Sequence, residues 1–197
     1  MSLPEDRSNG YEAIAEEFIH FRLQSATGLE TIRKWAASLP RGGAVLDVGA
    51  GCGEPLTAIL IEAGFNVAAI DASPAMVAAF QQRFPGVAIA CEPAEHSRFF
   101  NRTFDGVLAV GLVFLLPEDR QRELIRRIAG ALKPGGRLLF SAPWQVGDWD
   151  DRLTGQPSRS LGVDEYRRII ADAGLNLVGE HVDEGNSHYY EALKPPD

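Results

Sequence analysis

Cysteine is nearly absent from this chain of 197 residues: two occur, Cys52 and Cys91, with no CxxC pair and no neighbouring histidine cluster. That scarcity excludes a disulfide framework and a zinc site, so no metal is expected and cysteine chemistry does not carry the function. Long apolar runs are missing too, and no segment reaches the roughly 20 residues needed to span a bilayer. The opening MSLPEDRSNG lacks the basic start and apolar stretch of a secretory leader, which points to a cytoplasmic protein with no membrane partner. Lys and Arg number 19 against 27 Asp and Glu, a net charge of −8. No basic run exceeds the pairs Arg126-Arg127 and Arg167-Arg168, so a nucleic-acid partner is not expected.

What is present is an alternation of two patterns. Hydrophobic residues make up 45% of the chain, enough for one sizeable core, and a single domain over 1–197 is expected. A helical cap at about 10–39 is read from Ile14, Phe18, Phe21, Leu29, Ile32 and Trp35, interrupted near Thr27-Gly28. The core, about 43–194, opens with an apolar strand Ala44–Val48, a glycine cluster, and a helix from Pro55 to Ala63. Strand Asn66–Ile70 leads through the cap Ser73-Pro74 into helix Ala75–Phe84. Short strand Val87–Cys91, strand Phe104–Val110, helix Pro117–Leu132 and strand Arg137–Ala142 follow. The segment Pro143–Gly162 shows no periodicity and reads as a long functional loop, whose Asp148, Asp150 and Asp151 are read as solvated in preference to the alternative that they meet a cationic acceptor. Helix Val163–Ala173 precedes a closing hairpin, Leu175–Val182 and His188–Leu193. Such a series predicts an α/β fold: a doubly wound, seven-stranded, mostly parallel sheet with an antiparallel last strand and helices on both faces.

Candidate ligand residues gather at the carboxyl ends of these strands, where such sheets bind their ligands. Val45–Gly53 reads VLDVGAGCG, three glycines at alternate positions in a strand-to-helix turn, where missing Cβ atoms let backbone amides approach a ligand. Asp71, 20 residues after Gly51, is placed to accept hydrogen bonds from both hydroxyls of a ribose. Turn and carboxylate together specify a nucleoside. A dinucleotide fingerprint GxGxxG starting at Gly49 would end on glycine where this chain has Glu54, a carboxylate that would repel a pyrophosphate. The spacing GxGxG behind Asp47 suits a nucleoside with an amino-acid tail, which favours S-adenosylmethionine over NAD.

Four segments, Leu46–Gly53, AIDASPAM over 69–76, FDGV over 104–107 and LKPGGRL over 132–138, resemble in order and spacing the motifs of class I S-adenosylmethionine-dependent methyltransferases of the small-molecule type. The similarity runs from about Tyr11 to Leu193 and implies a Rossmann-like methyltransferase domain with S-adenosyl-L-methionine as cofactor. It further implies that Gly49, Ala50 and Gly51 line the methionine portion, Asp71 holds the ribose, Ala72 and Met76 flank the adenine, and Tyr11 lies in a helix over the cofactor. Where that family carries an acidic residue before an alanine at the adenine amino group, this chain departs from it with Pro93 before Ala94. Ala94 and Glu95 are the candidates there. Asp47 and, at the end of the fourth strand, Val110 and Gly111 complete the cofactor-side set.

Methyl transfer from a sulfonium uses an already activated donor, so positioning dominates, a general base is optional, and no catalytic residue is assigned. His188 and Tyr190 are the candidate polar aromatics, sent to one sheet face by alternation while Tyr189 takes the other. The acceptor pocket is expected from the amino-terminal helices, Leu112–Leu115, the Trp144–Trp149 loop and the end hairpin. Those pieces are apolar and aromatic, so the partner is a small, partly hydrophobic acceptor. Two other functions share the cofactor pocket: a non-catalytic S-adenosylmethionine-binding protein, and an NAD-dependent oxidoreductase, which Glu54 disfavours.

Overall fold

A computed structural model describes residues 6–196. The ends of the expected 1–197 domain and the first half of the segment read for a leader lie outside the described residues. Two helices come first, α1 (Ala15–Leu23), which buries only Ala15, and the amphipathic α2 (Leu29–Ala37), separated where Gly28 takes φ +82°. They are followed by β1 (Ala44–Val48), α3 (Leu56–Glu62), β2 (Asn66–Asp71), α4 (Pro74–Arg83), β3 (Ala88–Cys91), β4 (Phe104–Ala109), α5 (Glu118–Ala131) and β5 (Leu132–Ser141). Then come β6 (Val146–Asp150), β7 (Pro157–Leu161), α6 (Val163–Asp172), β8 (Asn176–Val182) and β9 (His188–Leu193). Seven strands form one sheet in the order β3-β2-β1-β4-β5-β9-β8. Strands β1 to β5 are parallel, and β9 runs antiparallel between β5 and β8.

Period-two alternation sorts the strands' side chains to two helical layers. Val45, Val67, Leu108, Leu139 and Tyr189 meet Ile32 and Trp35 of α2 and Ile59 and Leu60 of α3. Leu46, Ala68, Val107, Leu138 and Tyr190 meet Leu124, Ile125 and Ile128 of α5 and Tyr166, Ile169 and Ile170 of α6. Leu124, Ile125 and Ile128 lose all their exposure, a burial that stabilises by about 1.5–3 kcal/mol per side chain. Helix α4 starts as its sequence demands, with Pro74 in the first turn and Ser73 Oγ accepting the Met76 amide at 3.1 Å.

Three expectations change. The segment Pro143–Gly162 is not an irregular loop: β6 and β7 pair antiparallel in a separate two-stranded ribbon, Trp149 opposite Ser158 and Asp148 opposite Arg159. Its Gly, Asp, Ser and Pro content conceals a strand pattern, because its pairing is set by the partner strand and by Trp149 packing on Phe114, ring centres 5.7 Å apart. Tyr11 lies in the turn before α1 rather than within a helix. Finally, β5 begins at Leu132, which already pairs with Phe104, so Lys133–Gly136 is an irregularity within a strand as well as a helix stop.

Gly136 shows why that irregularity needs glycine. A Cβ there would fall 2.8 Å from the Lys133 carbonyl oxygen and 3.0 Å from that of Phe104, both backbone atoms that cannot swing aside. Gly136→Ala is expected to destabilise the protein by about 1–3 kcal/mol, read from the midpoint of denaturant unfolding.

Candidate functional site

The carboxyl ends of β1, β2, β4 and β5 open into one cavity of about 630 Å³. At its β2 end, Asp71 Oδ2 accepts the Gly51 amide at 2.8 Å and Oδ1 accepts the Ser73 amide at 2.9 Å. Each oxygen keeps a lone pair for a further donor. Burial raises the Asp71 carboxyl above its ordinary value, and the amides of Ser73 and Gly51 oppose that rise. Gly51 has φ +57°, and a Cβ on it would meet only Phe18, at 4.0 Å, so any side chain there would enter open cavity. Gly53 is glycine for a different reason: its Cβ would lie 2.5 Å from Phe84 and 2.8 Å from Phe80.

Beneath the turn sits Asp47, 3% exposed, accepting the Thr57 hydroxyl at 2.6 Å. Burial pushes its carboxyl up to about 6, the Thr57 bond and the Arg22 charge acting against it and Asp71 with it. Arg22 projects from α1 into the same cavity, its charge disfavoured by burial and favoured by Cys52, Tyr189 and Asp47. Here a buried acid and a half-buried base face the space beside the glycine turn, a pairing that suits the ammonium and carboxylate of an amino acid.

The amino-terminal arm closes the cavity from above. Glu12 accepts from Ser73 Oγ and from the Ala75 amide at 3.0 Å, tying the arm to the start of α4. Tyr11 packs edge-on against Phe18, ring centres 4.9 Å apart, and donates to Asp151 Oδ2 at 3.2 Å. Burial first, then the Asp151 charge, holds the Tyr11 phenol protonated. At the other end of the cap, the Gly28 amide donates to Glu184 at 2.9 Å, and Tyr189 donates to Asp183 at 2.9 Å. Leu112, Phe114, Leu115, Pro143 and Trp144 supply the apolar remainder of the wall.

All twelve residues expected on the cofactor side line this one cavity: Tyr11, Asp47, Gly49, Ala50, Gly51, Asp71, Ala72, Met76, Ala94, Glu95, Val110 and Gly111. The two candidate polar aromatics separate. His188 lines the cavity, and burial lowers its pKa, so its imidazole is neutral near pH 7. Tyr190 does not reach it. Its fully buried ring stacks on Phe140 at 4.9 Å in the layer under α6, on the same face as His188 but two residues further along β9 from the cavity edge. Of the Trp144–Trp149 segment, Trp144 and Gln145 face the cavity, while Trp149 packs on the far side of Phe114. Sequence alone assigns no role to Arg22 or Glu12, and Asp151, read there as one of three solvated loop acids, is instead half-buried and bonded to Tyr11. Arg22 follows Phe18 by four residues, so helical spacing carries its direction, but nothing local marks that face of α1 as the cavity side.

A doubly wound sheet of this strand order, with a glycine turn and a ribose-ready carboxylate at its carboxyl edge, defines a nucleoside-binding protein with the methyltransferase fold. Residues 45–136 match the family described as "Methyltransferase domain". Over those residues, just under half of its length, the chain is similar to methyltransferase domains, and it has the fold of solved S-adenosylmethionine-bound methyltransferases. It is 30% identical over 152 residues to the methyltransferase GfsG of Streptomyces halstedii, an alignment covering 70% of this chain and 54% of that protein. The chain spans about half the length of the curated relatives it matches. Among solved structures, it resembles the magnesium protoporphyrin IX methyltransferase of Synechocystis with bound S-adenosylmethionine: TM-score 0.76, 17% identity, 98% of this chain and 99% of that one. It also resembles an S-adenosylmethionine-bound amino pentose methyltransferase from Micromonospora echinaspora: TM-score 0.74, 19% identity, 91% and 96% covered.

The raised carboxyl of Asp47 has a measurable sign. Its folded pKa, about 6, lies above the ordinary 3.8, so between these values the native state binds more protons than the unfolded chain and stability falls as pH rises. Denaturant unfolding from pH 4 to 7 is expected to show this loss, with Asp47 contributing on the order of 1–3 kcal/mol, and a smaller loss in Asp47→Asn, where the raised Asp71 remains.

Proposed function

We propose that this chain transfers the methyl group of S-adenosylmethionine to a small, partly hydrophobic molecule, as one cytoplasmic methyltransferase domain over 1–197 with a helical cap at about 10–39 and a core at about 43–194. The observation that carries the reading is the Asp71–Gly51 bond of 2.8 Å beside an open glycine turn, with Asp47 and Arg22 next to it. In this assignment Asp71 takes the ribose hydroxyls on its free lone pairs. Gly49, Ala50 and Gly51 line the methionine portion, whose carboxylate meets Arg22 and whose ammonium lies nearest Asp47. Ala72 and Met76 flank the adenine, Ala94 and Glu95 lie at its edge, and Tyr11, Val110 and Gly111 enclose the sulfonium.

The cofactor supplies an electrophilic methyl, so the chain's own task is alignment and exclusion of water. The arm residues Tyr11 and Glu12 provide the cover, and the apolar wall of Leu112, Phe114 and Trp144 receives the acceptor. No helix among the described residues is long and apolar enough to cross a membrane. The names of the neighbours, which specify a magnesium porphyrin and an amino pentose, support a small-molecule acceptor over a nucleic acid. A nicotinamide dinucleotide is disfavoured by Glu54, which lines the cavity beside the turn.

Calorimetric titration with S-adenosylmethionine, S-adenosylhomocysteine and NADH separates these readings. The first two are expected to bind and NADH is not; binding of NADH alone would overturn the assignment. Asp71→Ala should weaken the binding of both S-adenosyl ligands by about 1.5–3 kcal/mol per ribose bond lost, in a variant whose melting temperature shows it folded.

A further inference from the structure

Asp151 is a carboxylate that neither the cofactor assignment nor the core explains. It sits at the tip of the β6–β7 ribbon, half-buried, and lines the main cavity. Its Oδ1 is taken up locally, accepting the Leu153 and Thr154 amides at 2.9 Å each. That turn fixes the carboxylate plane. Oδ2 is left to the cavity, where its donor among the described residues is the Tyr11 hydroxyl at 3.2 Å, and a carboxylate oxygen has room for a second.

Trp149, two residues earlier on the same ribbon, packs on Phe114 of the apolar wall with ring centres 5.7 Å apart, so the ribbon carries this oxygen in from the side of the cavity on which the acceptor is expected. The other cavity carboxylates are accounted for elsewhere. Asp47 and Asp71 belong to β1 and β2, Glu54 to the turn before α3 where it pairs with Arg83 at 3.5 Å, Glu92 and Glu95 to the loop after β3, and Asp183 accepts Tyr189 and its own hairpin's amides. Asp151 lines the same cavity as Phe114 and Trp144, and its Oδ2 has room for a donor beside that apolar wall.

We infer that Asp151 is the acceptor-binding carboxylate of the methyl-transfer reading on which this assignment rests. Its Oδ2 binds the N–H or O–H of the nucleophile and makes amines and hydroxyls, rather than thiols or carbon nucleophiles, the acceptor class. In the transfer, the nucleophile's lone pair forms the bond to the methyl carbon as the carbon–sulfur bond breaks with its pair onto sulfur. The nucleophile's proton passes to Asp151 Oδ2 and from there to water. Tyr11 is a positioning residue, holding that oxygen at the cavity wall.

Sinefungin tests this without knowledge of the acceptor, because it carries a cationic amine where S-adenosylmethionine carries its methyl. Calorimetric affinities for sinefungin and S-adenosylhomocysteine are measured in the wild type, Asp151→Asn and Thr154→Ala. Asparagine keeps the acceptor that closes the turn and removes the charge; Thr154→Ala loosens the same turn and keeps the charge. Asp151→Asn is expected to lower the sinefungin-to-S-adenosylhomocysteine affinity ratio by about tenfold or more, with S-adenosylhomocysteine affinity held within about twofold. Thr154→Ala should leave the ratio unchanged. An unchanged ratio in Asp151→Asn, loss of both ligands together in that variant, or an equal fall in Thr154→Ala would each overturn the inference. Failure of S-adenosylhomocysteine to bind the wild type would instead remove the methyl-transfer reading itself.

Discussion

Two backbone amides from different turns, Gly51 after β1 and Ser73 after β2, converge on the carboxylate of Asp71. Neighbouring parallel strands set the backbone spacing, and this one side chain locks the two loops that leave them into a single rigid edge. The Gly49 and Ala50 amides reinforce it by donating to the Ile70 carbonyl at 2.9 and 3.1 Å. Because the amides oppose the effect of burial on Asp71, the carboxylate is kept as an acceptor in a place where solvent alone would not sustain it. Everything the cavity offers a nucleoside is measured from that point.

Enclosure comes from a different set of bonds. An open sheet edge would leave a groove; here the segment from Tyr11 to Gly28 is drawn across it and fastened at several separate elements. Glu12 holds α4, Tyr11 holds the β6–β7 ribbon, and Gly28 holds the β8–β9 turn through Glu184. The last contact is close enough that a Cβ on Gly185 would come within 2.6 Å of Thr27. Most of these bonds use a carboxylate as acceptor, so the acidic excess of the chain is partly spent in building the pocket. Asp47 and Asp71 then give its floor a sign that favours a cationic ligand, with Arg22 as the local exception.

The parallel strands, their helices and the glycine turn were legible because each rests on a local pattern: apolar runs for strands buried on both faces, a Ser-Pro helix start, and glycines at alternate positions. The β6–β7 ribbon was not, since Gly147, Asp148 and Ser158 have little strand preference and pair only because Trp149 anchors them on Phe114. Tyr190 was misplaced for a related reason. Alternation correctly pairs it with His188 and opposes it to Tyr189, but what decides contact with the cavity is depth along β9: His188 and Tyr189, at the strand's start, both line the cavity, and Tyr190 lies beyond its edge.

By itself, the sequence determined the order of the main sheet's strands and helices along the chain, the α/β class, and which residues from Asp47 to Gly111 line the cavity, because those residues follow their own strands and are carried to one edge by parallel pairing. Only the tertiary structure decided what stands opposite them. Arg22, Glu12 and Asp151 reach the cavity from a helix, an arm and a ribbon far apart in the chain, and side chains brought together by long-range packing leave no spacing in the sequence to read.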